Sequence, residues 1–315
     1  MEEKDGTSPR ACLCIDGGGV RGIAAFTCIS EMSRDFKSQY DDFSLHQIFD
    51  TLAGVSIGGF LISLLREDTS ILYKAVDDLF TELSQCISYT TFLRIPRKQN
   101  SSRLLKVYQK LFKKTPFHAP DKVRLLIPCY NITTQQMHVF DSHVESDVKL
   151  VDVIMATTAH PLYFLPHKIE NYTYIDGGVA RCNPVLIAAA ILDHSERSDQ
   201  ARSTYKYFSI GTGEKSIVVD EGKVLAFGTL EWVNGGLLNY MSDTHTTDFI
   251  AQQLLQDRIL RISTRSNSVS TMNNISQTHV LFLKRLGSSW YWKNRSIIQS
   301  FLGFLIPTNQ ISPIM

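Results

Sequence analysis

Short apolar runs that end in glycine recur along much of this chain. Ala11-Cys-Leu-Cys-Ile15 is uninterrupted and stops at Asp16 and three glycines, the pattern of a strand buried on both faces that enters a turn. Residues 22–36 are helix-compatible. Residues 49–53 make a second brief run, closing on Gly54-Val55-Ser56-Ile57-Gly58-Gly59. Behind it, residues 60–65 are apolar all round, as in a helix enclosed by a layered core. Residues 71–83 predict an amphipathic helix, 123–132 and 137–140 two strands, and 151–158 a helix stopped by Pro161. Residues 172–175 read as a strand ending in Asp176-Gly177-Gly178, and 205–210 as another running into Gly211-Thr212-Gly213. Between them Asn183-Pro184 opens a helix through Leu192, with Asn as N-cap and Pro at the first helical position. Strands interleaved with helices predict an α/β protein, a three-layer α/β/α sandwich around a central sheet.

Composition narrows the class without naming a function. The chain has 315 residues, enough for one large domain, and its 43% hydrophobic and 20% charged content excludes a disordered polymer. With 32 Lys+Arg against 31 Asp+Glu there is no overall electrostatic footprint for nucleic acid, although a local basic patch is not forbidden. Residues 1–10 are a polar extension, the reverse of a secretory signal, and no run of about 18 apolar residues is present to span a membrane. The six Cys form no CxxC and no zinc-like cluster with His, which points to a reducing cytosol and no metal. The sequons at Asn131 and Asn171 are read as chance in that setting.

The chemistry concentrates at three glycine turns. Gly54-Val55-Ser56-Ile57-Gly58 is a GxSxG between a strand and a helix, where a sharp turn lifts the serine Oγ clear of the backbone. Gly54 and Gly58 permit the close chain approach such a turn forces, and the following helix places positive charge beside a developing anion. Alone, the motif is also plain turn chemistry. Gly17, Gly18 and Gly19 present consecutive backbone N–H groups, as an oxyanion requires. Gly17, Gly19 and Gly22 also fit a dinucleotide-binding GxGxxG, but residues 30–35 downstream are polar and helix-like rather than a second strand ending in an acid. A Ser-Asp-His triad is open to His194, His245 or His279 by order, yet few strands precede the serine for such a fold. Asp176 stands at a strand end, where a carboxylate either takes the serine proton directly or caps the next turn.

Taken in order, Asp16-Gly-Gly-Gly-Val-Arg21-Gly, Gly54-Val-Ser56-Ile-Gly58-Gly and Asp176-Gly-Gly-Val-Ala resemble the patatin-like phospholipase family. Ala156-Thr-Thr-Ala-His-Pro161-Leu-Tyr-Phe, Asn183-Pro184 and Ser209-Ile-Gly211-Thr-Gly213-Glu extend the likeness over residues 11–214. The resemblance implies a metal- and cofactor-independent lipid acyl hydrolase with a Ser/Asp dyad: Ser56 as nucleophile, Asp176 as base, and the N–H groups of Gly17, Gly18 and Gly19 as oxyanion hole. Arg21 is then expected to steady that loop or face the substrate phosphate. His160, Arg181 and Cys182 stand where the family usually has small residues or Asn, which bears on substrate choice rather than on the reaction.

Such an enzyme is expected to be cytoplasmic and to meet a phospholipid membrane transiently. Residues 89–98 mix Tyr89, Phe92, Leu93 and Ile95 with Arg94, Arg97 and Lys98, which suits an interface or a loop with buried aromatic anchors. From Ser288 to Ile306, Trp290, Tyr291 and Trp292 precede Lys293 and Arg295, and then Ile297, Ile298, Phe301, Leu302 and Leu305 recur at helical spacing, a stripe that suits a membrane or the protein's own core. Residues 11–214 are read as the catalytic domain, and 215–315 as its completion or as a lid or regulatory extension. A homodimer or a small-molecule activator is open. So are two other activities: acyl transfer through the same acyl-enzyme, and lipid binding without turnover.

Overall fold

The computed structural model describes residues 10–40, 43–67, 94–112, 114–195, 205–215, 244–266 and 274–303, with a few isolated positions between them. Of the helix expected at 71–83 the structure describes Phe80 and Glu82, both helical, and Tyr89, Phe92 and Leu93 lie outside the described residues. The strands are β1 (Ala11–Ile15), β2 (Thr51–Gly54), β3 (Arg124–Asn131), β4 (Gln136–Asp141), β5 (His167–Ile169), β6 (Tyr172–Asp176), β7 (Lys206–Ile210), β8 (Glu214–Lys215), β9 (Ile259–Ile262) and β10 (Arg265–Ser266). The helices are α1 (Gly22–Gln39), α2 (Leu45–Ile48), α3 (Ile57–Glu67), α4 (Arg94–Phe112), α5 (Leu150–Thr157), α6 (Val185–Ser195), α7 (His245–Leu255) and α8 (Gln277–Leu302).

The central sheet runs β5-β6-β3-β2-β1-β7-β9, with β4 also on β3, while β8 and β10 pair separately. From β3 to β9 the strands of that order are parallel; β4 and β6 run antiparallel to β3, and β5 antiparallel to β6. Alternation along β1 explains the layers, because successive side chains of a strand point to opposite faces. Ala11, Leu13 and Ile15 enter one apolar cluster with α1, α3, α5 and α8. Cys12 and Cys14 enter the other with Val185, Leu192, Ala251 and Leu255 of α6 and α7. Burial raises the Cys12 thiol far above its ordinary value, as in an inert core cysteine. The expected three-layer α/β sandwich is the observed fold.

The described elements of the last hundred residues, β9, α7 and α8 among them, pack into this sandwich. β9 extends the sheet from β7, in register from Tyr207 with Ile259 to Ile210 with Ile262. α8 lies against α1 so closely that a Cβ on Gly287 would sit 2.2 Å from the Ala24 carbonyl oxygen. The aromatic stripe of the tail packs there: Trp290, Tyr291, Ile298 and Leu302 are buried, each contributing roughly 1.5–3 kcal/mol, while Trp292 and Ile297 face solvent. Arg295 Nε donates to Asp35 Oδ2 at 2.8 Å, fastening the two helices. No helix among the described residues is long and apolar enough to cross a membrane.

Candidate active site

The register of β3 explains how residues far apart in sequence meet. β2 pairs with the first half of β3, ending with Ala53 opposite Leu126. β6 pairs with its second half, with Asp176 opposite Cys129. β4 spans both halves and so occupies the other edge. β2 and β6 therefore run toward each other along one edge of β3 and stop end to end. Ser56 and Asp176 fill the gap, and Ser56 Oγ donates to Asp176 Oδ2 at 2.5 Å.

Local sequence makes the serine turn sharp. Ser56 has φ 56°, a left-handed conformation that is costly for a residue with a Cβ. The turn is held by what surrounds it: a Cβ on Gly58 would lie 2.2 Å from the Ile15 carbonyl oxygen, and one on Gly54 2.4 Å from that of Gly58. The Ser56 N–H donates to Thr157 Oγ1 at 2.9 Å, whose hydroxyl in turn donates to the Pro128 carbonyl at 2.8 Å. α3 begins at Ile57, so its positive N-terminal end lies beside Ser56 Oγ.

Asp176 is buried, and its Oδ1 accepts the Gly178 N–H at 2.7 Å. Burial pushes its carboxyl above the ordinary value of 3.8, against the opposing pull of His160, the Ser56 hydroxyl and the Gly178 N–H. A carboxylate held in this way is a stronger base than an exposed one. His160 lies on the turn whose preceding carbonyl, that of Ala159, accepts the Asp176 N–H at 3.2 Å. Its Nδ1 accepts the Leu162 N–H at 3.3 Å, and its ring lies tilted against Tyr163, centroids 5.1 Å apart. Ser56 Oγ donates to Asp176, not to a histidine.

The glycine loop stands opposite, with a correction to the expected donors. The Gly17 N–H donates to the Cys182 carbonyl at 2.9 Å, and the Gly17 carbonyl accepts from Thr212 Oγ1 at 2.8 Å. Both peptide groups of Gly17 are thus spent on holding the loop, and Gly17 leaves the donor set. Among the described residues the N–H groups of Gly18 and Gly19 have no acceptor, because Gly19 opens a short 3-10 turn whose first N–H groups lack partners. Gly18 must be glycine, since its Cβ would fall 2.1 Å from Thr212 Oγ1. Arg21 Nε donates to the Gly18 carbonyl at 3.3 Å, so it steadies the loop.

Arg261, a single cation in the apolar run of β9, anchors the loop from below. Its Nη1 donates to Asp16 Oδ1 and to Ser209 Oγ at 2.9 and 2.8 Å, its Nη2 to Asp16 Oδ2, and its Nε lies 3.1 Å from Asp248 Oδ1. Asn183 Nδ2 also donates to Asp248 Oδ1, at 2.6 Å, while its Oδ1 caps α6 through the Val185 N–H. Burial pushes the Asp16 carboxyl up to about 6 even beside this guanidinium. Thr157 and Thr212 lie within the stretches Ala156–Phe164 and Ser209–Glu214 that the resemblance marks, without a role assigned to either; no motif marks Arg261, for which a charge inside Ile259-Leu-Arg-Ile262 is the available signal. Asp35, at the end of the polar stretch 30–35, is tied to Arg295. Among the described residues no group of three His, Cys, Asp or Glu is arranged to hold a metal ion.

A family model described as patatin-like phospholipase matches residues 13–189. Patatin-15 of Solanum tuberosum is 24% identical over 321 residues, covering 88% of this chain and 82% of the relative. A cGAMP-activated phospholipase of Vibrio cholerae is 28% identical over 199 residues, 56% of this chain and 55% of that protein. Among solved structures, VipD from Legionella pneumophila aligns over 91% of this chain and 66% of its own, with a TM-score of 0.46 and 12% identity.

Proposed function

The chain belongs to the patatin-like phospholipase family, a family of lipid acyl hydrolases, and from that premise we propose that it cleaves fatty-acyl esters of glycerophospholipids or lysophospholipids, without a metal, through a Ser56 acyl-enzyme. The observation that carries this reading is the 2.5 Å hydrogen bond from Ser56 Oγ to a buried Asp176, with the serine held in a left-handed turn.

Asp176 Oδ2 takes the hydroxyl proton as Ser56 Oγ bonds to the ester carbonyl carbon. The carbonyl oxygen becomes an anion, facing the N–H groups of Gly18 and Gly19 and the N-terminal end of α3. Collapse breaks the bond to the leaving alkoxide, which takes the proton back from Asp176 and departs as the lysolipid alcohol. Water then attacks the acyl-enzyme, giving one proton to Asp176 and its oxygen to the acyl group. Fatty acid leaves, and Ser56 regains its proton from Asp176. Arg21 and the Gly17 peptide groups keep the oxyanion loop in place during both steps. The protein works in the cytoplasm as a peripheral visitor to membranes.

The test is fatty-acid release from mixed phospholipid vesicles in the presence of EDTA, comparing wild type with Ser56→Ala. Release that falls by ~10⁴-fold or more in the variant is expected, the scale for loss of a catalytic nucleophile. Release that survives in Ser56→Ala, or that wild type loses on chelation, overturns the assignment.

A further inference from the structure

Charge along this nearly neutral chain is sharply uneven. Between residues 83 and 120 lie eight of the 32 Lys and Arg and none of the 31 Asp and Glu, leaving 24 cations against 31 acids elsewhere. α4 occupies the middle of this stretch. Its inward face is Asn100, Leu104, Tyr108 and Phe112, all buried. Arg103, Lys106 and Lys110 lie three and four residues apart on the opposite face, exposed, with exposed Lys114 just beyond the helix. Lys110 meets Glu82 at 3.1 Å.

The position of α4 relates this stripe to the dyad. Tyr108 Oη donates to Thr158 Oγ1 at 3.4 Å, Asn100 Nδ2 to the Tyr163 carbonyl at 3.4 Å, and the Leu165 N–H to Ser101 Oγ at 2.9 Å. The segment it touches, residues 158–165, also carries the Ala159 carbonyl that accepts the Asp176 N–H. That same segment exposes two leucines, Leu162 at 52% and Leu165 at 38%. Cations beside solvent-facing aliphatic side chains at the rim of a lipid-hydrolysing site match the two layers of a bilayer surface: anionic headgroups, then acyl chains.

We propose that α4 and the Leu162–Leu165 turn form the docking face of this enzyme and that its partner is a bilayer rich in anionic phospholipid. The inference rests on the lipid acyl hydrolase reading and adds the surface and the charge of the membrane it acts on. A nucleic acid would use the cations but leave the exposed leucines without a role. Lipid charge draws the protein down, and Leu162 and Leu165 enter the interface next to the loop beside Asp176.

The experiment measures co-sedimentation with phosphatidylcholine vesicles, with and without phosphatidylserine, using protein that carries Ser56→Ala so that binding is read without turnover. Phosphatidylserine should tighten binding, and added salt should reverse the gain. The triple change Arg103→Gln, Lys106→Gln, Lys114→Gln avoids the Glu82 contact and should weaken binding to phosphatidylserine vesicles ~100-fold, at about fivefold per surface cation. Leu162→Ser with Leu165→Ser should weaken binding to both vesicle types. Equal binding of wild type to both vesicle types, salt-independent binding, or an unchanged triple variant with an unchanged melting curve each overturns the proposal. So does tighter binding to a short duplex DNA than to either vesicle, lost in the triple variant. Fatty-acid release by the Ser56 protein is scored separately. Release without charge-selective docking removes this surface alone, whereas docking without release removes the hydrolase reading.

Discussion

Two strand ends in this molecule carry the same three residues, Asp-Gly-Gly, and use them in opposite ways. Asp16 closes β1 and Asp176 closes β6; both are buried, and burial pushes both carboxyls up. Asp16 is gripped through both oxygens by Arg261, so its charge is matched and its position fixed. Asp176 has a hydroxyl and a backbone N–H as its hydrogen-bond partners, and among the described residues no guanidinium bonds it. A matched charge holds a loop, and an unmatched one keeps the basicity that proton transfer needs. The identity of the partner, not the local motif, divides structure from chemistry.

Breaking each aspartate should therefore give opposite results. Asp176→Asn is expected to lower kcat by about 10²–10⁴, the range for loss of a general base. The same change should leave Tm equal or higher. A carboxyl whose folded pKa exceeds its unfolded value opposes folding once the pH rises past the unfolded value, and an amide removes that penalty at neutral pH. Fatty-acid release and thermal melting of one preparation check both halves, and a Tm lowered by several degrees would erase the contrast with Asp16.

Arg261→Met should act mainly on stability. It leaves Asp16 buried without its cation, which costs about 3–5 kcal/mol, or a Tm lowered by ~10 °C for a chain of this size. Adding Asp16→Asn should recover part of that loss, so the pair should be non-additive in a double-mutant cycle. The smallest effect concerns pH. Because burial holds Asp176 above 3.8, the acid limb of kcat/KM should lie above the ordinary aspartate range, with activity falling as pH drops through it. His160 pulls that carboxyl down, so His160→Ala should move the limb to higher pH. A limb that stays put or moves lower would show that His160 does not act on Asp176.

Legibility followed distance along the chain. β1 with its glycine turn, the Ser56 elbow and the Asn183 cap are written in contiguous residues, and local backbone rules suffice to find them. β2 begins two residues later than its apolar run, because Phe49 closes α2 through its N–H to the Leu45 carbonyl, and Asp50, which already bonds Ala11 and Arg124 through its backbone, lies just ahead of the paired strand. Arg261, Thr157 and Thr212 act across separations of 245, 101 and 195 residues; Thr157 and Thr212 lie inside stretches that the resemblance marks without assigning them a partner, and Arg261 lies outside all of them. Gly17 shows the converse. Its motif announces a free N–H, and only the tertiary approach of Cys182 takes that group away. The tail's aromatic stripe is periodic in sequence, but its partner, α1, is visible only in the fold.

The head-on meeting of β2 and β6 along β3 also sets an order in time. Ser56 and Asp176 are separated by 120 residues, and β3 must be in place before either strand end has anything to abut. A chain emerging from the ribosome therefore shows Ser56 long before it has the carboxylate that Ser56 bonds in the fold. The counter-charge of the oxyanion loop arrives later still, with β9. On the proposed mechanism, a product truncated before β9 would keep the nucleophile and lack the arginine that anchors the loop serving it.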